Sequence, residues 1–169
     1  MAVILRRPIE GDVGARAELG FHPEVLLGFG LKRDTSTPMT LEQAQTWVQR
    51  ISSQTHAWII EHQSKLLGEI RLDNLNADDS CASMAVAIVD HTKLGQGLGR
   101  ESIKACLKIA FEDLNLHRVS IRVLASNNRA IRCYESCGFQ VEGLEREAAM
   151  TDWGWESDMI MGILAQHST

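Results

Sequence analysis

The sequence predicts an α/β (α+β) fold: a single domain with a mixed central sheet of about seven strands and helices on both faces. Three observations lead there. The chain has 169 residues, 44% of them hydrophobic, which suits one domain with a substantial core. The apolar period switches repeatedly between the helical and the extended repeat. A continuous apolar run at 84–89 is followed by alternating glycines and an amphipathic run, the pattern of a buried strand, a tight turn and a helix.

Taken in order, residues 3–7 read as a short strand stopped by Pro8. Residues 12–19 and 23–27 read as short helices, divided by Gly20 and closed by Gly28 and Gly30. A polar loop over 32–39 precedes a helix at 41–51, announced by the capping box of Thr40 and Gln43. Residues 57–61 and 66–72 form a hairpin across Gln63, Ser64 and Lys65. A turn-rich loop covers 74–79. The central strand follows at 82–89, then the glycine turn and a helix over 101–114. A β-branched strand at 118–125 leads to a helix at 130–137, with Gly138 placed as its C′ residue. Strands at 139–144 and 155–164 complete the sheet, and Trp153 and Trp155 flank Gly154 in the turn between them.

Composition narrows the function. The net charge of −5 and the lack of a Lys/Arg block argue against a nucleic-acid partner, and a mildly acidic surface suits a cationic substrate. Arg6, Arg7 and Glu10 interrupt the first apolar run, so a cytoplasmic protein without a membrane partner is expected. Four cysteines fit a reducing compartment as small buried hydrophobes. Cys133 and Cys137 lie too close in sequence for a disulfide scaffold and lack zinc-ligand neighbours. The histidines are scattered without ligand spacing, and no metal is expected.

Two segments carry chemistry. The first is Leu94-Gly95-Gln96-Gly97-Leu98-Gly99-Arg100. Its glycines, at the mouth of a helix, offer backbone N–H groups to a phosphate. A Walker A loop needs Lys and Ser/Thr where Arg100 and Glu101 stand, and a dinucleotide fingerprint needs glycine where Arg100 or Ser102 stands. The second segment holds Asn127, Ala130, Tyr134, Gly138 and Phe139. Asn127 suits an N-cap. Tyr134, the sole tyrosine, follows two helical turns later, ~10.5 Å along the axis.

Together these segments resemble the GNAT superfamily of acyl-coenzyme A N-acyltransferases. Gly97 and Gly99 fit the small positions of its (Gln/Arg)-x-x-Gly-x-(Gly/Ala) loop, and the second segment is in register with its Asn-x-x-Ala, Tyr and Gly-Phe pattern. The C-terminal part, Gly143 through Gly162, is most similar to the branch containing ribosomal-protein N-terminal acetyltransferases. The resemblance implies acetyl-CoA as co-substrate, an amine acceptor, and direct attack without a covalent enzyme intermediate. It implies cofactor contacts from Leu94, Gly95, Gln96, Gly97, Leu98, Gly99 and Arg100, and from Asn127 and Arg129. It puts a backbone N–H near Ile88 or Val89 on the oxyanion, and makes Tyr134 the proton donor to the departing thiolate. Leu94 departs from the family's Arg or Gln, with Lys93 and Arg100 as candidate replacements. A thiol at ~8.5 and a phenol at ~10 make a workable acid pair. The amine must lose a proton, and Glu69 resembles the carboxylate some members use; Asp73 and Asp79 are the alternatives. A protein or peptide N-terminus is the expected acceptor. A small amine (polyamine, amino acid or aminoglycoside) is the alternative, as is a catalytically silent CoA-binding sensor. A monomer or homodimer is expected.

Overall fold

The apolar run becomes the middle strand of a seven-stranded sheet. The computed structural model describes residues 2–32 and 34–167. The strands are β1 (Ile4–Arg6), β2 (Ala57–His62), β3 (Lys65–Asn76), β4 (Cys81–Ile88), β5 (Arg118–Leu124), β6 (Gln140–Thr151) and β7 (Gly154–Leu164). They lie in the order β1-β2-β3-β4-β5-β7-β6. Only the β4–β5 pair is parallel, so the sheet is mixed. The helices are α1 (Gly11–Leu19), α2 (Pro23–Leu27), α3 (Leu41–Ser53), α4 (Leu98–Lys108) and α5 (Asn128–Glu135).

Strand alternation sorts side chains to two faces. On one face Ile59, Leu66 and Ala87 pack with Ile51 and Trp47 of α3 and Ala15 of α1. On the other, Ile70, Met84, Ile121 and Met161 join Ile103 and Leu107 of α4 and Ile131 of α5 in the larger core. Helices therefore cover both faces, as the sequence predicts. The Thr40–Gln43 capping box is formed, with both reciprocal hydrogen bonds present.

Several boundaries move, each for a physical reason. Gly97, at φ 81°, caps α4 and lets it begin at Leu98 rather than at residue 101. The helix ends in a π turn over Ile109–Asp113. The β2–β3 hairpin closes on Gln63 and Ser64 alone, with φ of 52° and 59°, leaving Lys65 in the strand. β3 runs on to Asn76, into the expected loop. β6 is about twice its expected length: it is exposed and bulged, with Glu147 at φ 51°, so its sequence shows no period. Arg33, in the loop over 32–39, lies outside the described residues.

Candidate active site

β4 and β5 pair from Cys81↔Arg118 to Met84↔Ile121 and then part. The reason lies on the other side of β4. The Val89 and Asp90 N–H groups both donate to the Leu67 carbonyl, at 2.7 and 3.1 Å, drawing the end of β4 toward β3. Gly68 permits the approach, because a Cβ there would stand 1.9 Å from the Ala87 oxygen. The parted strands open a cleft of about 1190 Å³. It passes through the sheet: Ala85 and Ala87 line it from the α1–α3 side, and Val86 and Ile88 from the α4–α5 side. Val89 N–H faces β3, so alternation aims the peptide groups of Val86 and Ile88 into the gap that β5 leaves.

The glycine turn closes one end. Asp90 caps the short turn His91–Lys93, accepting from Thr92 N at 3.0 Å and Thr92 Oγ1 at 2.6 Å. Gly95 and Gly97 take φ of 75° and 81°, which favour glycine. No side chain caps α4, so its first N–H groups keep their capacity for an incoming acceptor. Gln96 braces the turn by donating to Thr92 O at 2.8 Å. Lys93, Arg100, Arg129 and Arg132 line the same cleft and give it a cationic rim. Glycines with open space around them, free helix N–H groups and a cationic rim fit a diphosphate-bearing ligand.

α5 supplies a wall. Asn127 Oδ1 accepts from Ala130 N at 3.2 Å as the N-cap, and Asn127 Nδ2 donates to Gly28 O at 3.2 Å. The amide thus ties α5 to the end of α2. Arg129 pairs with Glu24 of α2. His22, at the N-cap of α2, stacks on His91 with ring centroids 3.6 Å apart. α2 is therefore pinned on both sides of the cleft, and Val25, Gly28 and Phe29 line it. Tyr134 lines it too, packed against Phe139 and only 7% exposed. Burial pushes its phenol above the ordinary value, so the hydroxyl stays protonated.

The opposite face presents charge. Arg122 donates to Asp158 Oδ2, at 2.5 Å from Nη2 and 3.1 Å from Nε, and reaches Glu145 at 3.4 Å. All three line the cleft. Asp158 is buried, and its group carries one more negative than positive charge.

Ile88, the glycine turn apart from Leu98, Asn127, Arg129 and Tyr134 thus come together around one cleft. Three expected residues do not. Leu98 is buried in the core beneath the turn. Val89 has committed its N–H to Leu67, so Ile88 alone keeps the expected oxyanion position. Glu69 stands one strand away from the gap, opposite Ala87. It is buried, and both its oxygens accept from Arg50 Nη2, at 2.7 and 2.8 Å, tying α3 to the sheet. Asp73 is paired with Arg71 at 2.8 Å, and Asp79 accepts from Asn76 at 2.7 Å; neither lines the cleft. Sequence reading passed over Gly68, Arg122, Glu145 and Asp158. A glycine inside a strand pattern is the signal that could have found Gly68; the other three sit on strands like ordinary solvent-facing charges.

Residues 2–140 match the family model described as Acetyltransferase (GNAT) domain. The chain belongs to the GNAT acetyltransferase family. It is 33% identical over 81 residues to the spermidine N(1)-acetyltransferase of Vibrio cholerae, a match covering 48% of this chain and 46% of that one. It is 36% identical over 56 residues to the aminoglycoside N(6′)-acetyltransferase type 1 of Klebsiella pneumoniae, covering 33% and 28%. The chain thus spans half or less of the length of these curated relatives. A crystal structure of spermidine N-acetyltransferase from Vibrio cholerae in complex with CoA and spermine shares the fold, with TM-score 0.79, 22% identity, and coverage of 98% of this chain and 96% of that one. None of these is a ribosomal-protein N-terminal acetyltransferase, so the expected likeness to that branch is without support among them. Among the described residues, no helix is long and apolar enough to cross a membrane.

Proposed function

We propose that this GNAT chain transfers an acetyl group from acetyl-CoA to the primary amine of a small cationic acceptor. One observation carries the reading: the cleft runs through the sheet, with a glycine turn and an uncapped helix N-terminus at one end, a buried phenol on one face and a carboxylate pair on the other. Relatives named for spermidine and for aminoglycosides support this acceptor class.

In this reading the diphosphate of acetyl-CoA lies on the N-terminus of α4, and the arm enters between β4 and β5. The amine arrives from the opposite face, held by Asp158 and Glu145. An ammonium of ordinary value ~10.4 must shed its proton before attack, and water in the open face carries it off while Asp158 orients the nitrogen. The amine nitrogen attacks the thioester carbonyl, whose oxygen meets the Ile88 N–H. The C–S bond then breaks. Tyr134, protonated because it is desolvated, gives its proton to the thiolate and is reprotonated through solvent by the proton that the attacking nitrogen gives up as it becomes the amide.

The test is CoA release measured with spermidine, an aminoglycoside and unblocked peptides. The polycationic amines are expected to give the highest kcat/KM. A peptide series that exceeds them on the order of tenfold, about 1.4 kcal/mol of transition-state preference, overturns the acceptor assignment. Silence with every amine, together with acetyl-CoA binding, points to a sensor.

A further inference from the structure

We propose that Cys133 and Cys137 form an oxidisable thiol pair in the wall of the acetyl-CoA cleft, which a hydroperoxide converts to a disulfide that shuts the cleft to its ligand. Neither cysteine has a part in acetyl transfer, and neither depends on which amine is the acceptor. The inference rests on the cleft being the acetyl-CoA site.

The four cysteines are free thiols in different settings. Cys106 is wholly buried in α4, and burial pushes its thiol up to about 12, which makes it inert. Cys81 opens β4, outside the cleft lining. Cys133 does line the cleft. Its Sγ lies against the glycine turn, 3.8 Å from where a Cβ on Gly99 would stand. Any group added to that sulfur enters the space beside the helix N-terminus.

Cys133 is the member of the pair that faces the cleft, and Cys137 is the buried one. The Cys133 thiol falls below its ordinary value, chiefly through the neighbouring Cys137 thiol. Burial opposes the shift, and the Arg100 guanidinium adds to it. Cys137 correspondingly holds its proton. The Cys137 S–H donates to the Arg100 carbonyl, 3.8 Å away. The charges facing the pair from α4 are Arg100 and Lys104. Tyr134 and Ser136 are its neighbours along the chain.

The spacing permits a bridge. Helix geometry sets Cα atoms four residues apart at roughly 6 Å, inside the range a disulfide spans. Cys137 lies past the last residue of α5, where its N–H donates to Tyr134 O at 2.9 Å in a three-residue turn. It is outside the regular helical ladder and can close on Cys133 by tightening that turn.

The chemistry balances. The Cys133 thiolate attacks the outer oxygen of the hydroperoxide, the O–O bond breaks, and the leaving hydroxide or alkoxide takes up a proton. The sulfenic acid so formed is attacked by Cys137 sulfur; the S–O bond breaks, water leaves, and the S–S bond forms. The thiols lose two electrons and the hydroperoxide gains them. Tyr134, between the two cysteines, moves with the tightened turn.

The test treats the whole protein with hydrogen peroxide and follows it by intact mass, peptide mapping and acetyl-CoA thermal shift. The expected product lacks two hydrogens, carries a Cys133–Cys137 link, and binds acetyl-CoA on the order of tenfold more weakly or worse. Dithiothreitol restores binding, and saturating CoA slows the oxidation. In Cys137→Ser, dimedone should trap the sulfenic acid on Cys133. In Cys133→Ser, peroxide should leave that variant's own acetyl-CoA shift unchanged. Dimedone mapping to Cys81 first, a Cys133→Ser variant that loses its shift as fast as wild type, or a 133–137 link that leaves acetyl-CoA binding intact would each overturn the proposal. These readouts need no acceptor, so their failure is separate from a failure of the amine assignment.

Discussion

Gly68→Ala offers the sharpest test of why the cleft exists. The new methyl would lie 1.9 Å from the Ala87 oxygen, 2.9 Å from its carbonyl carbon and 3.0 Å from Ile88 Cα. These are backbone atoms, so no rotamer change relieves the clash. β3 and β4 must separate by about 1.5 Å at this point to reach ordinary contact. The movement strains the hydrogen bonds by which Leu67 O holds Val89 and Asp90, and pushes Ile88 toward the gap. Overpacking of this kind costs about 1–3 kcal/mol. For a chain of this size each kcal/mol lowers Tm by about 2–4 °C. The active site should suffer more, since a misplacement of about 1 Å at the reacting groups costs on the order of 10²-fold in rate. Urea unfolding and CoA release, measured on the same preparation, give both numbers. A Gly68→Ala protein with the wild-type urea midpoint and kcat/KM within about twofold would refute the reasoning, because the close approach would then not set the position of β4.

Tyr134→Phe should lower kcat by ~10- to 10⁴-fold while leaving the acetyl-CoA thermal shift in place, since a proton donor acts in the transition state. Because the folded-state phenol is raised, its share of stability is complete below the unfolded value of ~10 and is lost as pH climbs from there; urea midpoints of wild type and Tyr134→Phe measured over that range should diverge. Gly97→Val forces a β-branched residue to φ 81° beside the phosphate site and should abolish a stabilisation that for wild type reaches ~2.7 kcal/mol at 100 times Kd. Glu69→Gln should cost about 1–3 kcal/mol in urea unfolding, a figure reduced because Arg50 is partly exposed, and should leave the pH–rate profile superimposable on wild type. A selective loss of rate at low pH in that variant would return the role of base to Glu69.

Much of this was legible before any coordinates. The glycine turn and the Asn127–Tyr134 spacing are local patterns, fixed by backbone conformation and helical repeat, and both line one cleft. β4 was legible because a strand covered on both faces carries a long apolar run, broken here only by Ser83. What escaped depends on non-local contact. Glu69 reads as a strand carboxylate, and only the fold reveals that Arg50 of α3 claims both its oxygens. Asp158 is ordinary until β5 sets Arg122 beside it and the cleft reaches them both. The bulges of β6 hide its length, since each resets the alternation on which a reader of the sequence relies.

The parting of β4 from β5 also divides the molecule mechanically. On the α4–α5 face one core runs across the divide, joining Met84 and Val86 to Ile121 and Val123. On the other face the smaller core stops at Ala87 and Val89. The sheet resembles a book whose spine is glued on one side and whose pages are free on the other. Amide hydrogens aimed into the crease, at Val86, Ile88 and Leu124, should exchange with solvent sooner than that of Met84 at the spine, where β5 is still paired. A ligand laid in the crease binds the two halves together, so its signature in hydrogen exchange is slowing at the margins that spreads into both halves.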